Sequence, residues 1–212
     1  MKTVLITQRL SAVSEYPEIR ECLDIRWAGF LNRCGIMPVA LPIECSIQEY
    51  VKKFRPFGII LTGGNDMEIF NINDPLSLMR DKFENEIIKM AMDKNIPLFG
   101  VCRGMQMIAH FFRSSIGPLG GHVGIMHPVF FGEENMFRPI YGTTYEVNSY
   151  HQYCIKKPGL ELVACAIASG DGSVEALQHR GKKLAAIMWH PERMDPFNSC
   201  DIQFVRHFFG GN

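Results

Sequence analysis

No run of apolar residues in this 212-residue chain approaches the roughly 20 that a membrane-spanning helix requires. The only apolar stretch near the start, in "MKTVLITQRL", is short for a secretory leader, so a cytoplasmic location is expected. Charge of either sign is missing in excess: Lys plus Arg and Asp plus Glu are 22 each. A net charge of zero gives no electrostatic reason to expect a nucleic-acid or membrane partner. No Cys-x-x-Cys occurs, and the seven cysteines are odd in number and widely spaced. That excludes a disulfide framework and a zinc ribbon as organising features. Internal repeats, low-complexity segments and an interdomain linker are also lacking.

What remains is a chain with 47% apolar residues, enough for a substantial core in one domain spanning 1–212. Strand-length apolar runs recur at 3–7 ("TVLIT"), 37–41 ("MPVAL"), 57–61 ("FGIIL") and 96–101 ("IPLFGV"). Between them, 18–33 places Ile19, Cys22, Leu23, Trp27, Phe30 and Leu31 near one helical face. Residues 80–94 do the same with Phe83, Ile87, Ile88, Met90 and Ala91. Strands apolar throughout, alternating with helices, predict a parallel sheet covered on both faces. From about 116 to 190 the strands become shorter and are separated by Gly, Asn and Pro, which predicts a β-rich extension. A last helix is predicted at 197–209. The fold class is α/β, three layers plus that extension. The segments around 65–80, 114–142 and 193–200 are expected as loops.

Chemistry gathers beyond the carboxyl ends of strands in such sheets. Cys102 stands there, in Gly100-Val101-Cys102-Arg103-Gly104, between the 96–101 run and a helical pattern at 103–113. A sharp strand–nucleophile–helix turn crowds the residues two before and two after the nucleophile, and glycine relieves the crowding. The helix N-terminus favours a thiolate, and the Arg103 N–H can face a developing oxyanion. A thiolate needs a base with an orienting partner. His190 ends the run "LAAIMWH", with Glu192 two residues on across Pro191. In extended chain i and i+2 project to one side, so the carboxylate can hold the imidazole. "LTGGND", 61–66, puts Gly63 and Gly64 directly after a strand, and Gly64 is a candidate second oxyanion donor.

Together, Gly100–Gln106 (G-x-C-x-G-x-Q), Gly63–Gly64 and His190–Glu192 (H-P-E) resemble the class I glutamine amidotransferase-like hydrolases, in the same order over most of the chain. The resemblance implies their flavodoxin-like fold, with Cys102 as nucleophile, His190 as acid/base, Glu192 as its orienter and Gln106 as a glutamyl-binding residue. "CRGMQ", "RDKFE" (80–84), "VNSYHQ" (147–152) and "DGSVEA" (171–176) resemble the γ-glutamyl hydrolase branch of that family. By that likeness Ser149, His151 and Gln152 join Gln106 as substrate-binding candidates. The opening "ITQR…EIRECL…W" and the short length look most like the small bacterial γ-glutamyl-CDP-amidate hydrolases, which act in phosphoramidate decoration of capsular polysaccharide.

The implied reaction is hydrolysis of a γ-glutamyl amide through a glutamyl thioester on Cys102, with neither metal nor organic cofactor. Two other readings stay open: a glutaminase subunit feeding ammonia to a separate synthase, and a non-catalytic metabolite binder on the same fold. The expected partner is a small-molecule γ-glutamyl substrate; a homodimer and a synthase partner are both compatible with the sequence. The Arg103 side chain faces either an anionic leaving group or a carboxylate such as Glu84. His122 and His127, in "GGHVGIMHP", read as structural, and no spacing here spells a metal site.

Overall fold

The computed structural model describes residues 1–210. In chain order the elements are β1 (Lys2–Ile6), β2 (Arg9–Ala12), β3 (Ile19–Cys22), α1 (Arg26–Arg33), β4 (Ile36–Ala40), α2 (Ile47–Phe54), β5 (Ile59–Leu61), α3 (Pro75–Lys94), β6 (Leu98–Val101) and α4 (Arg103–Phe111). The second half holds β7 (Ser115–Pro118), β8 (Val123–Phe131), α5 (Arg138–Tyr141), β9 (Thr144–Tyr150), β10 (Tyr153–Lys157), β11 (Leu162–Ala168), β12 (Val174–His179) and β13 (Leu184–Ile187). A 3₁₀ turn, Pro191–Arg193, and α6 (Ser199–Gly210) close the chain.

Five strands pair in parallel in the order β4-β1-β5-β6-β13. At β13 the sheet turns antiparallel and continues through β12, β11, β8 and β9. β10 branches from β12 and pairs with β7. The strand period of two divides the core into two layers. Val4, Ile6, Ile60, Phe99, Val101, Ala185 and Ile187 point to the side covered by α1, α5 and α6. Leu5, Ile59, Leu61, Leu98, Leu184 and Ala186 point to the side covered by α2, α3 and α4. Thus the α/β class and the β-rich second half stand as the apolar patterning implies.

Two predicted elements change. The 18–33 helix shortens to Arg26–Arg33, because Ile19–Cys22 forms an antiparallel pair with Arg9–Ala12. The Asp24 carboxylate accepts the Arg26 N–H at 2.9 Å and its carbonyl accepts the Trp27 N–H at 3.1 Å, so the helix starts only after it. Ile19, expected on the buried face, is 52% exposed. The 114–142 segment is no loop: it contains β7, the nine-residue β8 and α5. In β8 only Val129 and Phe131 are buried, while the apolar Val123, Ile125, Met126 and Phe130 are exposed, so no in–out alternation marks the strand. The helix expected to open at 80 opens at Pro75, where the Asp74 side chain caps it by accepting the Ser77 N–H.

One buried carboxyl links β13 to α6. Asp201 Oδ1 accepts Trp189 Nε1–H at 3.0 Å and the Tyr141 hydroxyl at 2.8 Å. Burial pushes its pKa up to about 6, although both hydrogen bonds oppose the rise. A carboxyl whose folded pKa exceeds its unfolded value loses stability as pH climbs from about 4 through 6, here by at most about 3 kcal/mol. An amide oxygen accepts the same two bonds, so Asp201→Asn is expected to remove most of that loss. Urea midpoints at pH 5 and pH 8 check this: the gap between them should narrow in the variant.

Candidate active site

The residues singled out by motif converge at the carboxyl ends of β5, β6 and β13. Cys102 follows β6 with φ 53° and ψ −108°, a region that L-residues avoid. Its N–H donates to Ile187 O at 2.8 Å, tying the turn to β13. The flanking glycines have concrete reasons. A β-carbon on Gly100 would lie 2.8 Å from the Gly104 carbonyl oxygen, and one on Gly104 would lie 2.2 Å from the Leu61 carbonyl oxygen. Backbone cannot yield at those distances, so the strand–turn–helix crossing admits no side chain at either place.

His190 leaves β13 in extended conformation, φ −111° and ψ 91°. Beyond it the expected extended path fails: Pro191–Arg193 is a 3₁₀ turn. The turn curls Glu192 back beneath the ring, and His190 Nδ1 donates to Glu192 Oε1 at 2.7 Å. The pairing expected from i, i+2 geometry therefore forms by a different local route. Asn148, on β9, fixes the histidine backbone with two bonds of 2.8 Å, one to His190 O and one from His190 N–H. Arg26 holds the turn from outside by donating to Glu192 O and Met194 O. The Cys102 side chain and the imidazole meet beside Gly63, close enough for each to shift the other's titration.

This pair is electrostatically matched. Burial disfavours a Cys102 thiolate, but the His190 charge and hydrogen bond, with lesser help from His151 and Arg193, more than offset it, and the thiol titrates below its ordinary value. Burial likewise disfavours a charged His190, yet Cys102 and Glu192 together push it up to about 9. Each charge favours the other, so both shifts run toward a thiolate–imidazolium pair.

Cys102, Arg103, Gln106, His151, Gln152, His190 and Gly64 all line one cavity of about 370 Å³. Gln106 Nε2 donates to Tyr153 O at 3.2 Å. Ser149 is not among the lining residues. It is fully buried, and its hydroxyl donates to His122 O at 2.8 Å. Gly64 has φ +94°. Arg103 is the first residue of α4, so no carbonyl of its own helix receives its N–H. A second cavity, about 270 Å³, adjoins across His190, Gly64 and Arg193, and its wall includes Arg9, Asp24 and Trp27.

The Arg103 side chain chooses the carboxylates. Its guanidinium is 2% exposed and is paired with Glu84 and Asp81. Arg80 completes the network: Nε donates to Glu84 Oε1 at 3.0 Å, Nη1 to Gly63 O at 3.0 Å and Nη2 to Thr62 O at 2.8 Å. Thus "RDKFE" supplies a buried charged strut under both the elbow helix and the glycine loop. Its signal was present in the sequence only as the spacing of Arg80 and Glu84, one helical turn apart on α3. Asn148 was missed although it stands inside "VNSYHQ"; backbone bracing leaves no mark in residue type. His122 and His127 also prove not to be isolated, since the fold gathers them with His151 and Glu175 within 4.8 Å. Three separate segments contribute, 122–127, 151 and 175, which is why no spacing along the chain betrayed them.

The peptidase C26 family profile matches residues 5–192. The γ-glutamyl-CDP-amidate hydrolase of Campylobacter jejuni is 37% identical over 207 residues, covering 96% of each chain. A putative glutamine amidotransferase-like protein of Lactococcus lactis, YvdE, is 32% identical, covering 74% of this chain and 75% of its own. The crystal structure of a putative GMP synthase protein from Thermoplasma acidophilum superposes with a TM-score of 0.75 at 17% identity, over 99% of this chain and 93% of that one.

Proposed function

The chain belongs to the peptidase C26 family, and from that premise we propose that it is a stand-alone cytoplasmic hydrolase that releases glutamate from a γ-glutamyl amide whose leaving group is anionic. The observation that carries the reading is the buried Cys102–His190–Glu192 line, with His190 hydrogen-bonded to Glu192 and set beside the Cys102 thiol, open to a cavity with Gln106 and His151 in its wall. The C. jejuni relative, by its name, supports hydrolysis of γ-glutamyl-CDP-amidate as the particular reaction; a place in capsule phosphoramidate synthesis is part of the same proposal and rests on the sequence resemblance alone.

In this mechanism the Cys102 thiolate attacks the γ-carbonyl carbon. The N–H groups of Arg103 and Gly64 receive the oxyanion, an interaction whose loss typically costs about 10²–10³ in rate. His190 protonates the departing nitrogen as the C–N bond breaks, leaving a glutamyl thioester. The now neutral imidazole takes a proton from water, which attacks the thioester and frees glutamate and Cys102. Glu192 holds the imidazole orientation throughout. Gln106, His151 and Gln152 face the glutamyl moiety. The leaving group extends into the adjoining cavity, where Arg9 and Arg193 offer guanidinium groups suited to phosphate or carboxylate.

The test is glutamate release by the purified chain alone, from a panel of γ-glutamyl donors beside glutamine. Release from donors with a phosphorylated leaving group, and little from glutamine, is the expected result. A preference for glutamine that appears only with a synthase present would replace this reading by the glutaminase one.

The pH profile follows from the pair. Acylation needs the thiolate and the imidazolium together, so kcat/KM should fall on the acid side as Cys102 gains a proton. It should fall on the alkaline side near pH 9 as His190 loses its own. Glu192→Gln removes a charge that holds the proton on His190 and should move the alkaline limb to lower pH. An alkaline limb unmoved by that substitution would place the titrating acid elsewhere.

A further inference from the structure

The cluster beside the cavity holds more nitrogen lone pairs than a hydrogen-bonded core can use. His122 precedes β8, His127 lies on it, His151 follows β9 and Glu175 stands on β12. Each histidine has one ring nitrogen committed to an acceptor. His151 Nδ1 faces Tyr153 O at 3.0 Å, and a carbonyl can only accept, so that nitrogen carries the hydrogen. His127 Nδ1 faces Pro128 O at 3.4 Å, a longer contact of the same kind. His122 Nε2 meets the Asp171 carboxylate at 2.8 Å. The remaining ring nitrogens face Glu175, at 3.4 Å for His151 Nε2, 3.9 Å for His122 Nδ1 and 4.0 Å for His127 Nε2. Ser149 Oγ lies 3.2 Å from His122 Nδ1, but its single hydroxyl hydrogen goes to His122 O, so toward that nitrogen it can only accept. Among the described residues, His127 Nε2, His151 Nε2 and Glu175 Oε2 are buried without any hydrogen-bond partner. Glu175 is fully buried and His151 3% exposed.

Three imidazole nitrogens and a carboxylate converging in a largely buried site need a positive charge between them, a proton on one ring or a metal ion shared by all four, and only the metal ion gives every one of these atoms a partner. We propose that His122, His127, His151 and Glu175 bind one divalent transition-metal ion of the zinc class. Three imidazoles and a carboxylate suit that ion, and hard oxygen-seeking cations such as magnesium do not favour such a set. The carbonyl and carboxylate behind the rings are the outer partners that metal-bound histidines use to fix their tautomer. Tetrahedral bonds of about 2.0–2.1 Å space ligands about 3.3 Å apart, so the four atoms, all within 4.8 Å, need close by only roughly 0.7 Å per side chain. The ion ties the β8–β9 hairpin to β12 and holds His151, Tyr150 and Gln152 at the cavity wall. It takes no part in the thioester chemistry above, and the inference does not rest on that chemistry.

The test uses tag-free, chelator-treated full-length protein titrated with zinc by calorimetry and with cobalt(II) by absorption. The expected result is one ion per chain, with visible ligand-field bands of tetrahedral cobalt and without thiolate-to-cobalt charge transfer. Zinc should raise the Tm of the wild type, and Cys102→Ala should bind as the wild type does. Glu175→Gln and His127→Gln, with far-ultraviolet dichroism checked for folding, should each weaken binding about 100-fold or more. The absence of stoichiometric binding would leave a protonated histidine paired with Glu175 and overturn the proposal. So would a thiolate charge-transfer band, or binding lost in Cys102→Ala but kept in Glu175→Gln, either of which moves the ion to the Cys102–His190 pair. Should both ligand variants fail to fold, the wild-type cobalt spectrum decides by itself, since it distinguishes nitrogen and oxygen ligands from sulfur.

Discussion

Cys102→Ala is expected to leave no measurable glutamate release, a loss of about 10⁴-fold or more, because no other side chain at the end of β6 can form the thioester. The same position predicts a gain in stability for a different substitution. Cys102 sits at φ 53° and ψ −108°, which costs an L-residue of order 1–3 kcal/mol. Glycine adopts that conformation without the penalty, so Cys102→Gly should be as inactive as Cys102→Ala yet melt at a higher temperature than it. The pair of variants separates the chemistry of the thiol from the strain of its backbone. Turnover by either variant would refute the nucleophile assignment, and equal melting temperatures would refute the strain.

Glu84→Ala is expected to cost about 3–5 kcal/mol, the range for breaking a buried ion pair by removing one partner. Glu84 is fully buried between Arg80 and Arg103, and it also accepts the Thr7 hydroxyl at 3.0 Å. Burial would raise its pKa, but the two guanidiniums and these hydrogen bonds hold it below the usual carboxylate value. Burial also pulls Arg80 down to about 10, which still leaves it charged at neutral pH. Removing the carboxylate strands Arg80, which is bonded to the carbonyls of Thr62 and Gly63, and leaves Arg103, at the start of α4, with Asp81 as its one carboxylate. Denaturant titration reads the stability. Activity should fall further than the folded fraction alone accounts for, because both proposed oxyanion donors lie on the elements this strut supports. A midpoint within experimental error of the wild type would show that the charges are not coupled as their geometry implies.

Two kinds of information thus separate. The strands of the parallel half, the elbow at Cys102 and the strand-end His190 were legible in the sequence because each is local. An apolar run, a glycine at a tight crossing and a helix start leave their marks within a few residues. The β-rich second half was legible as a class and not in detail. In β8 most side chains face out, so periodicity carries little signal. The 18–33 segment misled for the opposite reason: its apolar spacing suits a helix, but pairing with Arg9–Ala12 and the Asp24 turn win. Only the tertiary structure could decide that Arg103 turns from the cavity to Glu84 and Asp81, that Asn148 braces His190, and that Ser149 serves His122. It alone brings His122, His127, His151 and Glu175 together. Each of these depends on which distant segments share a neighbourhood, a property of strand order and register that composition and spacing along a single chain do not encode.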